Sequence, residues 1–136
     1  MPKKAWQKQG QLCLFHYATE EAVREIVRTG LYVVSQREHQ RHGSGLFLST
    51  IVPGEMTRDA ICDFLFLHQR DPSTFSGVLV VRRDEKLLPT KAAGRRACVH
   101  RAPPQAQIDL TPVLVGFGVY RGDPGDEWLF SEGCYL

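Results

Sequence analysis

The sequence predicts a single α+β domain, and two observations carry that reading. Apolar and helical segments follow one another as strand, helix, short strand, loop, strand, helix and then mostly strands, without the alternation of βαβ units. The chain has 136 residues, 43% of them hydrophobic and 24% charged, enough for one core and too few for two comfortable domains. Residues 1–136 are therefore read as one domain, with residues 1–10 a flexible N-terminal segment.

The elements follow from local patterns. Leu12 to Phe15 fits a short buried strand that ends at His16. Thr19 is placed to cap a helix whose first turn carries Glu20 and Glu21, and Ala22, Val23, Ile26 and Val27 recur at helical spacing until Gly30. Leu31 to Val34 reads as a second strand. The polar run from Ser35 to Ser44, with His39, Arg41 and His42, reads as a surface loop. Leu46-Phe47-Leu48 is a strand candidate closed by Ser49-Thr50 and the Pro53-Gly54 turn. Met56, Ala60, Ile61, Phe64 and Leu65 share one face of a second helix. Val78 to Val81 is a β-branched buried strand, and Lys86 to Arg101 is a polar, basic connection. Ile108 to Leu110, Val113 to Tyr120 and Trp128 to Phe130 supply three further strands.

Composition excludes several function classes. The 17 basic and 15 acidic residues are spread along the chain and sum to +2, so there is no broad electrostatic footprint for nucleic acid. The doublets Arg82-Arg83 and Arg95-Arg96 read as solvated strand ends or turns. The segment MPKKAWQKQGQ lacks the apolar core of a signal peptide, and no run approaches the roughly 20 apolar residues that span a bilayer. No membrane contact is expected, and the chain reads as cytoplasmic or as a delivered effector domain. Cys13, Cys62, Cys98 and Cys134 are far apart and form no CxxC pair, which points to reduced, mostly buried thiols. Cys98 and His100 could supply two metal ligands, but two are not a site, and no metal is expected.

Three short signals fall at ends of expected strands: FHYATEEAVREIVRTGLYV around His16, GSGLFLST around Phe47, and GDEWLF around Glu127. In this order they resemble the ADP-ribosyltransferase superfamily of the diphtheria-toxin and poly-ADP-ribose-polymerase type, with its His, Tyr, acid signature. They are most similar to its small bacterial toxin domains. The match covers both ends of the chain, while roughly residues 51 to 125 follow by element order alone. The resemblance implies a split β-sandwich of two mainly antiparallel sheets with flanking helices, and NAD in the cleft between them.

Carried over residue by residue, the resemblance has His16 hydrogen-bond a ribose hydroxyl of NAD, with backbone at Tyr17 near the nicotinamide amide. Gly45 opens the second motif, and Phe47 stands where the family has the tyrosine that stacks on the nicotinamide ring. Phenylalanine keeps the stacking surface and loses the hydroxyl. Ser49 and Thr50 fall where small hydroxyl residues line that pocket. Glu127, with Asp126 as the alternative acid, would accept a hydrogen bond from the nicotinamide ribose. Such a carboxylate stabilises the oxocarbenium-like charge that builds as the nicotinamide bond breaks. Taken singly, the same residues also fit capping, core and turn roles, and His39 and His42 fit either a solvated loop or a lid.

The resemblance thus implies an enzyme that consumes NAD, as substrate, and transfers ADP-ribose to a macromolecular acceptor, protein or nucleic acid, or hydrolyses NAD. If the chain is a toxin, an immunity protein is an expected partner. The alternative is a non-catalytic module on the same fold that holds NAD, ADP-ribose or a nucleic-acid end, and a third reading keeps only a protein-interaction fold.

Overall fold

The computed structural model describes residues 13–34, 44–66, 71, 74–122 and 127–131. Its elements are strand β1 (Cys13–Ala18), helix α1 (Glu20–Thr29), β2 (Leu31–Val33), β3 (Gly45–Ser49), helix α2 (Arg58–Phe66), β4 (Gly77–Arg82), β5 (Lys91–Ala92), β6 (Ala97–Arg101), β7 (Gln107–Asp109), β8 (Leu114–Gly122) and β9 (Glu127–Phe130). The class is mixed α/β with antiparallel pairing, in agreement with the α+β expectation. The strands divide unequally, seven in the order β5-β6-β3-β1-β4-β8-β9 and two in the pair β2-β7.

β1 lies between β3 and β4, and strand alternation sends its side chains into two cores. Cys13, Phe15 and Tyr17 join Ile51, Ile61, Cys62, Phe75, Val78, Val80 and Trp128 on one face. Leu14 joins Val23, Ile26, Leu46, Leu48, Leu79, Val81, Ile108 and Leu110 on the other. β4 contributes to both cores, which is why Val78 to Val81 reads as an uninterrupted apolar run. Each fully buried aliphatic or aromatic side chain of these cores contributes about 1.5–3 kcal/mol of transfer free energy.

Helix α1 is punctuated as its sequence dictates. The Thr19 hydroxyl accepts from Ala22 N–H at 3.1 Å, and Glu20 accepts from Arg24 one turn on at 2.8 Å. Gly30 closes the helix at φ 76°, a left-handed conformation natural to glycine, and its N–H bonds the Ile26 carbonyl. Val23 and Ile26 form the buried stripe. Helix α2 begins later than its apolar pattern implies: Thr57 caps it by accepting from Ala60 N–H at 3.1 Å, leaving Met56 ahead of the helix.

Two expectations are corrected here. β1 continues through Ala18, so His16 sits inside a strand and not at its end. The connection from Lys86 to Arg101 contains two strands: β6 pairs with β3 from Gly45↔Arg101 to Ser49↔Ala97, and β5 pairs with β6. Pairing with distant residues creates these strands, and local apolar periodicity does not announce them. Of the loop expected from Ser35 to Ser44, residues 35–43 with His39, Arg41 and His42 lie outside the described residues, as do residues 1–12, Asp126 and Cys134. Cys13, Cys62 and Cys98 are buried thiols. Among the described residues no helix is long and apolar enough to cross a membrane.

At Gly45 the backbone approach is tight. A Cβ there would fall on the His100 carbonyl oxygen and lie 2.9 Å from Arg101 Cα, and both are backbone atoms of the paired strand. At Gly54, with φ 91°, a Cβ would meet nothing within 4 Å. Gly45→Ala is therefore expected to cost more than about 2 kcal/mol, lowering Tm by roughly 8 °C or more, while Gly54→Ala costs only about 1–2 kcal/mol of conformational strain. Thermal unfolding of both variants checks this ordering; a Gly45→Ala protein as stable as Gly54→Ala would contradict it.

Candidate functional site

Six of the sequence-predicted site residues, His16, Tyr17, Gly45, Phe47, Ser49 and Thr50, come together where β1 pairs with β3 through Phe15↔Ser49. His16 Nδ1 lies 2.8 Å from the Phe47 carbonyl oxygen. A carbonyl only accepts, so Nδ1 carries a proton, and in the neutral form of the ring Nε2 is the nitrogen of acceptor type. The Tyr32 ring of β2 packs against the imidazole edge at 5.2 Å with an interplanar angle of 76°. The histidine is thus fixed in tautomer and orientation by β3 and in position by β2. Such a ring can receive a hydroxyl proton donor, for example from a ribose.

The opposite side of the junction is a second polar cluster that joins the end of β3 to the turn before β6. Tyr17 is buried and donates its hydroxyl to the Ile51 carbonyl at 2.7 Å. Burial, reinforced by the charge of Glu55 and opposed by Arg96, holds its phenol well above the usual range, so it stays neutral. Ser49 is only 2% exposed; its hydroxyl donates to the Arg96 carbonyl at 2.8 Å and accepts from Ile51 N–H at 2.9 Å. Thr50 N–H donates to the same carbonyl at 3.1 Å. The Arg96 guanidinium returns to Thr50, donating from Nε to its hydroxyl at 3.0 Å and from Nη2 to its carbonyl at 2.8 Å.

Glu55 completes the cluster by accepting from both Nη1 and Nη2 of Arg96, the latter at 2.8 Å. The hydrogen bond from Arg96 holds the Glu55 carboxyl below the ordinary range, against a smaller upward push from burial. Glu55 in turn raises the Arg96 guanidinium. Arg96 adopts φ 56°, uncommon for a residue with a Cβ, and its set of bonds holds it there. Arg95 and Arg96 are exposed and lie in a turn, as expected, and Arg96 is in addition tied to Thr50 and Glu55. Glu55 and Arg96 are site residues that sequence reasoning missed; the only local signal is a glutamate just after the Pro53-Gly54 turn.

The structure separates other predicted members. Antiparallel pairing sets Tyr17 opposite Phe47 and His16 opposite Leu48. Leu46 and Leu48 point into the core beneath α1, so Phe47 points to the other face, together with its β6 partner Val99. His16 and the Phe47 ring therefore lie on opposite faces of the sheet, and only the Phe47 carbonyl reaches the histidine. This corrects the expectation of one pocket lined by both rings.

Glu127 opens β9 and is exposed. The register runs from His16 to Leu79 on β4 and Phe117 on β8, whose carbonyl accepts from Ser131 N–H. Glu127 is thus three strand spacings across, about 14 Å, and four residues along β9, about 13 Å. α1 intervenes, with Arg24 over the Phe117 ring at 5.4 Å. His16 and Glu127 do not share a pocket, because the acid-bearing strand joins the sheet beyond β8 and not beside β1. Among the described residues no group of three or more His, Cys, Asp or Glu side chains is gathered to hold a metal ion. The Cys98 thiol is pushed up by burial, against a smaller downward pull from Thr90, which disfavours the thiolate a metal needs.

The Glu55–Arg96 pair carries a pH signature. Its folded-state carboxyl is depressed, so its contribution to stability is present above the unfolded glutamate pKa of about 4.3 and is lost as pH falls through the lower folded value. Glu55→Gln is expected to be less stable than the wild type at neutral pH, with the gap in urea midpoint closing on acidification below about pH 4. Urea titrations across that window check it; a gap independent of pH would show that the pair does not titrate as described.

Comparisons with known proteins add no relative: no family model, no curated protein and no solved structure matches the chain.

Proposed function

We propose that the chain is an ADP-ribosyltransferase-type domain that binds NAD at the β1–β3 junction and consumes it, transferring ADP-ribose to a macromolecule or hydrolysing NAD. The α+β arrangement is read as a variant of the split β-sandwich of that superfamily. One observation carries the proposal: the HY and GLFLS motifs meet, with His16 Nδ1 bonded to the carbonyl of Phe47, 31 residues on. With its proton on Nδ1, the neutral ring has at Nε2 a nitrogen of the acceptor type that a ribose hydroxyl calls for, which is a positioning role and not that of a general base. In the reaction the bond from ribose C1′ to the nicotinamide nitrogen breaks, and its electron pair leaves with neutral nicotinamide. Water or an acceptor side chain or nucleic-acid group then bonds to C1′ and gives up its proton to solvent.

A second reading has specific support. The placement of Glu127 three strands from His16, and of the Phe47 ring on the other face, favours a module that holds NAD or ADP-ribose without chemistry. The nicotinamide of the bound dinucleotide then lacks a carboxylate aimed at its ribose.

Nicotinamide release in the presence of NAD and varied acceptors, with products identified by mass spectrometry, separates the two. The enzyme reading expects release at the β1–β3 junction that falls at least tenfold in His16→Ala and is little changed in Glu127→Ala, since Glu127 does not share a pocket with His16. Calorimetric binding of NAD with no release selects the module. Neither binding nor release by the wild type would sink both.

A further inference from the structure

At the far edge of the seven-stranded sheet, away from His16, the edge strand is short. β5 pairs with β6 only through Lys91↔Val99 and Ala92↔Cys98, while β6 continues through His100 and Arg101. Where β5 begins, a notch forms an open cleft of about 200 Å³ lined by Pro89, Thr90, Lys91, Val99, His100 and Arg101. Two of the six lining residues, Lys91 and Arg101, are cationic and none is acidic.

The notch is built, and three contacts fix its walls. His100 Nδ1 lies 2.7 Å from the Pro89 carbonyl, which ties the incoming turn to β6. Thr90 is held by Glu85, which accepts from its N–H at 2.8 Å and its hydroxyl at 2.7 Å. The nearby carboxylate is thereby occupied by Thr90 and stays out of the cavity lining. Val99 is 1% exposed and supplies an apolar floor. By the β3–β6 and β5–β6 registers, Lys91 and Arg101 leave the sheet on the same face as Val99, so both cations flank that floor.

Charge and size together select the ligand. Lysine and arginine offer only donors, and a group that accepts from both without adding a donor is an oxyanion. The volume is below the roughly 300 Å³ at which sites for drug-sized ligands begin, so it takes a phosphate and a small apolar attachment, not a whole dinucleotide. We propose that this notch binds the terminal phosphate of a small organic phosphate, with Lys91 and Arg101 as charge partners and Pro89 and Val99 against its apolar part. The site shares no residue with the β1–β3 junction and stands whether or not that junction takes NAD.

The test is an amide NMR titration of the full chain with AMP, inorganic phosphate and adenosine, each at constant ionic strength. AMP is expected to shift Thr90, Lys91, Val99, His100 and Arg101 saturably, and inorganic phosphate is expected to compete. Competition at equal concentration identifies the phosphate as the whole ligand, whereas AMP binding several-fold tighter shows that the attached organic group adds contacts at the notch; either supports the site. The double variant Lys91→Ala/Arg101→Ala is expected to bind at least tenfold more weakly, the charge-preserving Lys91→Arg/Arg101→Lys variant to retain binding, and His16→Ala to leave it unchanged. No saturable shift, adenosine binding as tightly as AMP, or an undiminished alanine double variant would overturn the proposal.

Discussion

The pairing of β1 between β3 and β4 is the constraint on which the rest depends. Because successive residues of a strand face opposite sides, this one strand sends Phe15 and Tyr17 into the core under α2, and Leu14 into the core under α1. A slip of one residue would exchange the two sets and expose both cores. Phe15 and Leu14 are each 1% exposed, so the register is held from both faces. The same register brings the Phe47 carbonyl to His16. The constraint that fixes the fold is therefore also the one that orients the histidine.

The junction that results has two sides with different chemistry. On one side a single imidazole, fixed in tautomer by a backbone carbonyl and steadied by Tyr32, is the group able to recognise a hydroxyl. On the other, Tyr17, Ser49, Thr50, Glu55 and Arg96 direct most of their hydrogen-bonding capacity to one another and to backbone groups. That second cluster explains how Arg96 persists at φ 56° and how the turn before β6 stays locked to the end of β3. Its hydroxyls serve structure, which redefines the part that Ser49 and Thr50 take in any ligand pocket: they hold the strand that presents the Phe47 carbonyl.

What was legible in the sequence was local. Thr19 and Gly30 bound α1 through short-range hydrogen bonds that the residue types dictate, and Val78 to Val81 announced a strand buried on two faces. β5 and β6 were illegible because Cys98 and Val99 are buried through contacts with β3 and the rest of the segment is polar. For the site, the meeting of the His16 and Phe47 segments was anticipated from motif order. The direction of the Phe47 ring was not, since alternation within LFL is visible but the β1 residue it faces depends on a long-range register. Glu127 failed for the same reason: its own strand was recognised, while its distance from His16 is a property of strand order.

The central claim, that β3 fixes the His16 imidazole so that Nε2 can accept from a ribose hydroxyl, is tested most directly by nitrogen NMR of the imidazole with and without NAD. His16 is expected to be the Nδ1–H tautomer at neutral pH, with its Nε2 resonance moving saturably as NAD is added. An Nε2–H tautomer, or an Nε2 resonance indifferent to saturating NAD, would contradict it.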